Sequence, residues 1–345
     1  MESSENNPGT NQIGPGVDEA RIVAAVEESG YPLQTAVTEI LRPTFEHIQQ
    51  EWSYLDKTSN ELRAIDVFAE KRLHDWHPQP RVRPTLNLII ECKHSNLPYV
   101  FFKTSDSVHL LRFPAVAGLP SDTVEITTDD DLSTWTIPII SVLGLSGHPF
   151  HQGPSYCSTF SKCVRKGGDL ELSGADPYCC LVLPLIKAIH HFEVAEQPVK
   201  TAWYFDAHLV MAVGVLDASI ITATQEKGGT VLTLAPWVRV LRHEYSEDYD
   251  HWERQRLSAI DIVHKDFLQA FLTTHLLPFS ERFSERALRH QVELATGKGF
   301  ISRMGTESWD GLESRLGPRP MLASRTGTKN IATRLLGFLR RQGEE

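Results

Sequence analysis

Apolar residues recur at helical spacing from Leu33 onward: Leu33, Val37, Ile40, Leu41, Phe45 and Ile48 fall on one stripe, which predicts an amphipathic helix over about 32–50. A shorter stripe of Ala20, Ile22, Val23 and Val26 predicts a first helix over about 18–29. The period then changes. Strands are predicted near 52–56, 63–69 and 85–93, with a Pro-rich loop before the third, and further strands or a hairpin near 98–103 and 108–113. Residues 114–157 read as an irregular insertion with Asp129, Asp130 and Asp131 in a turn, followed by a helix over about 175–193. Strands over about 207–223 and 230–243 flank Lys227-Gly228-Gly229, a hairpin turn signal. Helices from Ile260 to His275 and from Ser280 to Leu294 close this part, and a short amphipathic helix is predicted at 330–341.

Candidate chemistry sits at strand ends. Leu88, Ile89 and Ile90 form a run typical of a central buried strand, and Glu91 and Lys93 follow it. Residues i and i+2 of a strand share a face, so these two side chains emerge together. Asp66 ends the preceding apolar strand and can converge on them if the two strands are neighbours. Two carboxylates facing a lysine suit a Mg²⁺ ion that keeps several waters, with the lysine positioning one water for attack on a phosphodiester. The blander reading is a turn-capping Asp66 and an exposed Glu91–Lys93 pair worth under about 1 kcal/mol. Charges at the end of so apolar a strand are expensive without a task, which favours the metal-site reading.

These residues resemble the PD-(D/E)xK, or restriction-endonuclease-like, nuclease superfamily, and in particular bacterial proteins of the type IV restriction kind. Gly30-Tyr31-Pro32-Leu33 opens the helix, Trp52-Ser53-Tyr54 with Asp56 forms the first strand, and Arg63, Ile65 and Asp66 match the first metal-binding strand. Glu91-Cys92-Lys93 matches the bipartite motif, followed by Pro98 to Phe102. The strict likeness covers about residues 29–103; a looser one, through Lys187-Ala188 and Asp261 to Leu268, reaches about 275. The resemblance implies an α/β fold with a restriction-endonuclease-like core, a central mixed sheet flanked by helices, here with insertions and a helical C-terminal extension. It implies Asp66 and Glu91 as ligands of Mg²⁺ or Mn²⁺, Lys93 as the water-positioning residue, and DNA as substrate in bacterial restriction or defence. Such proteins often carry a glutamate at the start of the first helix, where this chain has Gln34. An amide brings no charge, so Gln34 is a weak auxiliary, and a catalytically inactive module that binds nucleic acid or a protein partner is the alternative. Glu39 lies about 140° further round the helix and is expected in solvent.

Composition narrows the setting. Residues 1–17 carry almost no apolar content and read as disordered; one elaborated domain is expected over 18–294, with a basic, partly disordered tail over 295–345. No apolar stretch reads as a transmembrane span, and the N-terminus is too polar for a signal peptide. The odd count of five cysteines predicts reduced thiols and a cytoplasmic setting, and with no apolar span no membrane partner is expected; the oligomeric state stays open, a homodimer being one option. Net charge is −10, awkward for a phosphate binder, but the tail holds nine basic and five acidic residues and could clamp DNA beside an acidic body. His148, His151, Cys157 and Cys163 lack the tight spacing of a zinc site. Lys187, in an apolar helix, either snorkels or reaches a scissile phosphate. Asp261 and His264 are predicted helix neighbours with no necessary joint role. P-loop, dinucleotide, zincin and serine-hydrolase signatures are absent.

Overall fold

The computed structural model describes residues 4, 6–57, 59–75, 77–104, 110, 112–128, 133–245, 255–301 and 311–317. Helices α1 (Glu19–Glu28) and α2 (Tyr31–Leu41) precede three long strands, β1 (His47–Asp56), β2 (Glu61–Arg72) and β3 (Val82–His94). Next come β4 (Tyr99–Lys103), β5 (Ala115–Ala117), β6 (Thr123–Thr128), β7 (Thr134–Pro138), β8 (Tyr156–Lys166) and β9 (Asp169–Ser173). A helical run from Ala175 ends in α3 (Leu183–Ala195) and leads to β10 (Phe205–Asp217), β11 (Ile220–Glu226), β12 (Gly229–Leu234), β13 (Trp237–Tyr245) and β14 (Gln255–His264). Helical turns from Lys265 continue into α4 (Leu277–Arg289) and α5 (Gln291–Thr296), followed by β15 (Lys298–Ile301) and β16 (Leu316–Gly317).

The fold is mixed α/β, with a large mixed sheet flanked by helices. Its order is β1-β2-β3-β10-β14-β13-β8-β4-β11-β12, with β5 on β10 and β9 on β8. β1, β2 and β3 form an antiparallel meander, whereas β3, β10 and β14 run parallel. Strand alternation sorts the core into two layers. Leu88, Ile90 and Cys92 of β3 pack with Leu33, Val37 and Leu41 of α2 and with Phe279 and Phe283 of α4. Ile89 packs on the other side with Leu181, Leu185, Ile189 and Phe192. Each such side chain contributes about 1.5–3 kcal/mol of burial, so the helices are held by area rather than propensity. Gly214 of β10 permits a close approach in the centre of the sheet: a Cβ there would stand 2.7 Å from Ile262 Cδ1 and 2.9 Å from Leu181 Cδ1.

Several boundaries differ from the sequence expectations. The helix predicted over 32–50 stops at Leu41, because Pro43 lacks the N–H and the space that a continuing helix requires; Ile48 belongs to β1 instead. The helix predicted from Ile260 is strand as far as His264. Residues 207–223 and 230–243 each divide into two strands, the second at Ala235-Pro236. The insertion is not irregular, since β6 and β7 form a second sheet in the order β16-β15-β6-β7. That sheet moves the folded boundary past 294, and Glu313 fastens the segment by accepting from Arg289 Nη1 at 2.8 Å, with His290 Nε2 at 2.9 Å. The run Ala175–Ala195 is long and apolar enough to cross a membrane by length and composition, contrary to the sequence expectation; here 39% of that window is buried, with Leu181, Leu185, Ile189 and Phe192 among the residues packed on the sheet. Residues 6–17 form exposed turns with short-range hydrogen bonds. The predicted helix at 330–341, most of the basic tail, and Asp129, Asp130 and Asp131 lie outside the described residues.

Candidate active site

Glu91 and Lys93 stand on the face of β3 that also carries Ile89, while Cys92 packs on the other. The antiparallel register ends at Val67↔Ile90, so Asp66 comes next, opposite Glu91. The side-chain alternation of β2 breaks there: Ile65 and Phe68 share one core layer, Val67 and Ala69 the other. The break lets the Asp66 carboxylate take the place of a ladder carbonyl, with Oδ2 accepting the Cys92 N–H at 2.6 Å. Lys93 Nζ donates to Glu91 Oε1 at 2.6 Å. Glu91 is only 7% exposed, and its Oε2 is buried without a hydrogen-bond partner among the described residues.

Burial sets the electrostatics. It pushes Glu91 up to about 7, with help from the Asp66 charge and against the pull of Lys93. Burial also raises Asp66, opposed by the Cys92 N–H and by Lys93. For Lys93, burial works against the charge, but the Glu91 carboxylate and its hydrogen bond outweigh it and raise the ammonium above its ordinary value. The lysine is therefore a cation at neutral pH and not a base.

Gln34 reaches the site from α2. It is buried, and its Nε2 donates to the Asp66 carbonyl oxygen at 2.6 Å and to Glu51 Oε1 at 3.2 Å. Glu51 is the residue that sequence reasoning missed. It lies on β1 between the pairs Gln50↔Val67 and Trp52↔Ile65, opposite Asp66, with a φ of 53°. This left-handed conformation is uncommon outside glycine, and it interrupts the ladder where Gln34 supplies the missing donor. The Glu51 charge also acts on Asp66, so a third carboxylate approaches by a route other than the first helix. Placing Pro43 as a helix stop would have moved Glu51 onto a strand and into view. Glu39 faces solvent, paired with Arg42.

Around this lies a supporting layer. Asp56, at the end of β1 and buried, accepts from Arg63 Nε at 2.8 Å and Lys187 Nζ at 2.5 Å. Lys187 thus neither snorkels freely nor stands open to a substrate; it ties α3 to β1. Tyr54 donates to the Pro184 carbonyl at 3.4 Å, and burial pushes its phenol up to about 12, with the charges of Asp56 and Glu91 adding to the rise. Asp261 has a structural role, completely buried against Arg239, which donates at 2.7 Å and 3.0 Å, and Trp237, which donates at 2.9 Å. It is not paired with His264, which caps the turn at Asp266.

Among the described residues no three His, Cys, Asp or Glu side chains form a ready-made metal cluster, so His148, His151, Cys157 and Cys163 make no zinc site. All five cysteines are free thiols. Asp66 and Glu91 nevertheless fit a hydrated divalent cation, which needs only one or two carboxylates, because the buried Glu91 Oε2 lacks a partner and such an atom is costly when left unsatisfied. Comparison of the chain with family models, curated proteins and solved structures finds no match.

Proposed function

We propose that the protein is a Mg²⁺-dependent phosphodiesterase of the PD-(D/E)xK type that acts on DNA in bacterial restriction or defence. The observation that carries the reading is the unpartnered buried oxygen of Glu91 beside Asp66 and Lys93. The chain order α2–β1–β2–β3–α3–β10, with an insertion before α3, agrees with the core that the resemblance implies. Asp66 and Glu91 would hold Mg²⁺ or Mn²⁺, which supplies a Lewis acid and a more acidic bound water. Lys93 keeps its proton, so its part is to position the nucleophilic water and to offset negative charge on the phosphate. Gln34 holds Asp66 and Glu51 in place through its amide.

The second reading, a catalytically inactive binding module, is favoured by the uncharged Gln34 and by the absence of a three-ligand cluster among the described residues. Incubation of plasmid DNA with Mg²⁺ or Mn²⁺ separates the two. Wild type should cut, whereas Lys93→Ala and Asp66→Ala should not. Metal at a hundredfold excess over Kd should stabilise the wild type by about 2.7 kcal/mol, a gain that Asp66→Ala loses. If wild type and Asp66→Ala melt alike in saturating metal and neither cuts, the binding-module reading replaces the nuclease.

A further inference from the structure

The large sheet ends at β12, whose one strand partner among the described residues is β11. Every residue of β12 is exposed, Leu232 at 60% and Leu234 at 74%. The register shows which backbone groups face outward. Ala235 N–H donates to the Ile220 carbonyl at 3.0 Å, so Ile220 and Ala235 face each other as a hydrogen-bonded pair. By antiparallel alternation Thr222↔Thr233 and Thr224↔Val231 are pairs of the same kind. The residues between them, Thr230, Leu232 and Leu234, turn their N–H and C=O groups away from β11. Two groups on each of three residues make a row of unused donors and acceptors along the free edge, with no backbone partner among the described residues.

An open edge is a template for another strand, and proteins blunt such edges with charges, prolines or bulges. The other edges here are guarded in that way. β1, at the opposite end of the sheet, is interrupted by the left-handed Glu51 and also carries Asp56. β9 carries Asp169 and Glu171, and β7 ends at Pro138. β12 reads Gly-Thr-Val-Leu-Thr-Leu, with no charge and no proline, and its register on β11 runs without a bulge. Leu232 and Leu234 share a face with Ala223 and Ile221, which pack with Val100, Phe102 and Cys163 in a small cluster apart from both main core layers. That apolar face runs to the edge and stops there. Alternating N–H and C=O groups at strand spacing are met by extended backbone, and this strand is its own complement. Two copies related by a two-fold axis pair antiparallel, with Leu232 opposite the partner's Leu232 and Thr230 opposite the partner's Leu234, the register that engages all the outward groups. No charged side chain of β12 opposes this contact, although the chain as a whole carries −10.

We infer that β12 is the interface of a homodimer, which joins two large sheets edge to edge across a two-fold axis at Leu232. The dimer does not depend on the nuclease reading and survives its failure. Sedimentation velocity of the full chain from about 1 to 200 µM should show a concentration-dependent equilibrium of monomer and dimer, as a small interface gives. Leu232→Lys and Leu232→Glu each set like charges directly opposite one another across the axis, and each should weaken the dimer by at least about tenfold. An equimolar mixture of the two variants should dimerise again at close to wild-type strength, because an ammonium then faces a carboxylate. Recovery in the mixture also shows that both variants are folded, and unaltered unfolding midpoints check the same point where position 232 is exposed. A chain that stays monomeric at about 200 µM, a dimer indifferent to both substitutions, or a mixture no better associated than its components would each overturn the proposal.

Discussion

Replacing Glu91 with glutamine isolates the electrostatic cost of the site. The carboxyl has an ordinary value of 4.5 and is pushed to about 7 in the fold. Between those values the folded state binds more protons than the unfolded state, so stability must fall as pH rises. The effect is absent below about 4.5 and complete above about 7. At about 1.4 kcal/mol per pH unit, the interval corresponds to roughly 3 kcal/mol, the worth of holding a charge where burial opposes it and Lys93 only partly compensates. Glu91→Gln keeps the shape and an acceptor for Lys93 but cannot ionise. Urea unfolding of both proteins in metal-free buffer at about pH 5 and pH 8, analysed by linear extrapolation, gives the double difference. Wild type should lose roughly 3 kcal/mol more than Glu91→Gln on going to the higher pH. Divalent metal should remove much of that loss in wild type alone. Parallel pH dependences in the two proteins would show that Glu91 titrates as it would in water, and the argument for a metal-ready carboxylate would fail.

Gln34→Glu should destabilise the metal-free protein, because it sets a carboxylate against the Asp66 carbonyl and Glu51, yet increase the stabilisation gained from Mg²⁺; thermal melts with and without metal should show both signs. Asp261→Ala leaves Arg239 buried without its counter-charge and should cost about 3–5 kcal/mol, measured by urea unfolding; a loss below about 1 kcal/mol would contradict the view of the pair as a fully dehydrated staple.

The site was legible where local pattern and spatial outcome coincide. Leu88 to Ile90, preceded by the Pro-rich loop, read as a central strand, and period-two geometry then places Glu91 beside Lys93. Gln34 was legible for the same reason, since the helix stripe places it at the edge of the buried face. Glu51 was not, because its position depends on a left-handed residue in β1 and on the register with β2, neither of which is written locally. Asp261 looks like a helix residue beside His264 until Arg239 is known to face it across the β13–β14 pairing. The β-branched Ile260, Ile262 and Val263 favour strand, but a short apolar run does not distinguish strand from buried helix. β6 shows alternation in Val124 and Ile126, yet its partner β15 is four residues long and comes from the far end of the chain.

That last pairing governs how the chain can be assembled. Lys298 lies beside Glu125 across half the chain, and β3 waits for β10, from Val82↔Phe205 onward, before its second edge is covered. During synthesis from the N-terminus, the β1–β2–β3 meander can close early, but β6 keeps an open edge until the last strands emerge. Loop-closure cost and high contact order make such a step slow, and an unpaired strand edge is sticky while it waits. A chain that stalls shortly before residue 298 would therefore carry a nearly complete candidate active site and an unfinished second sheet.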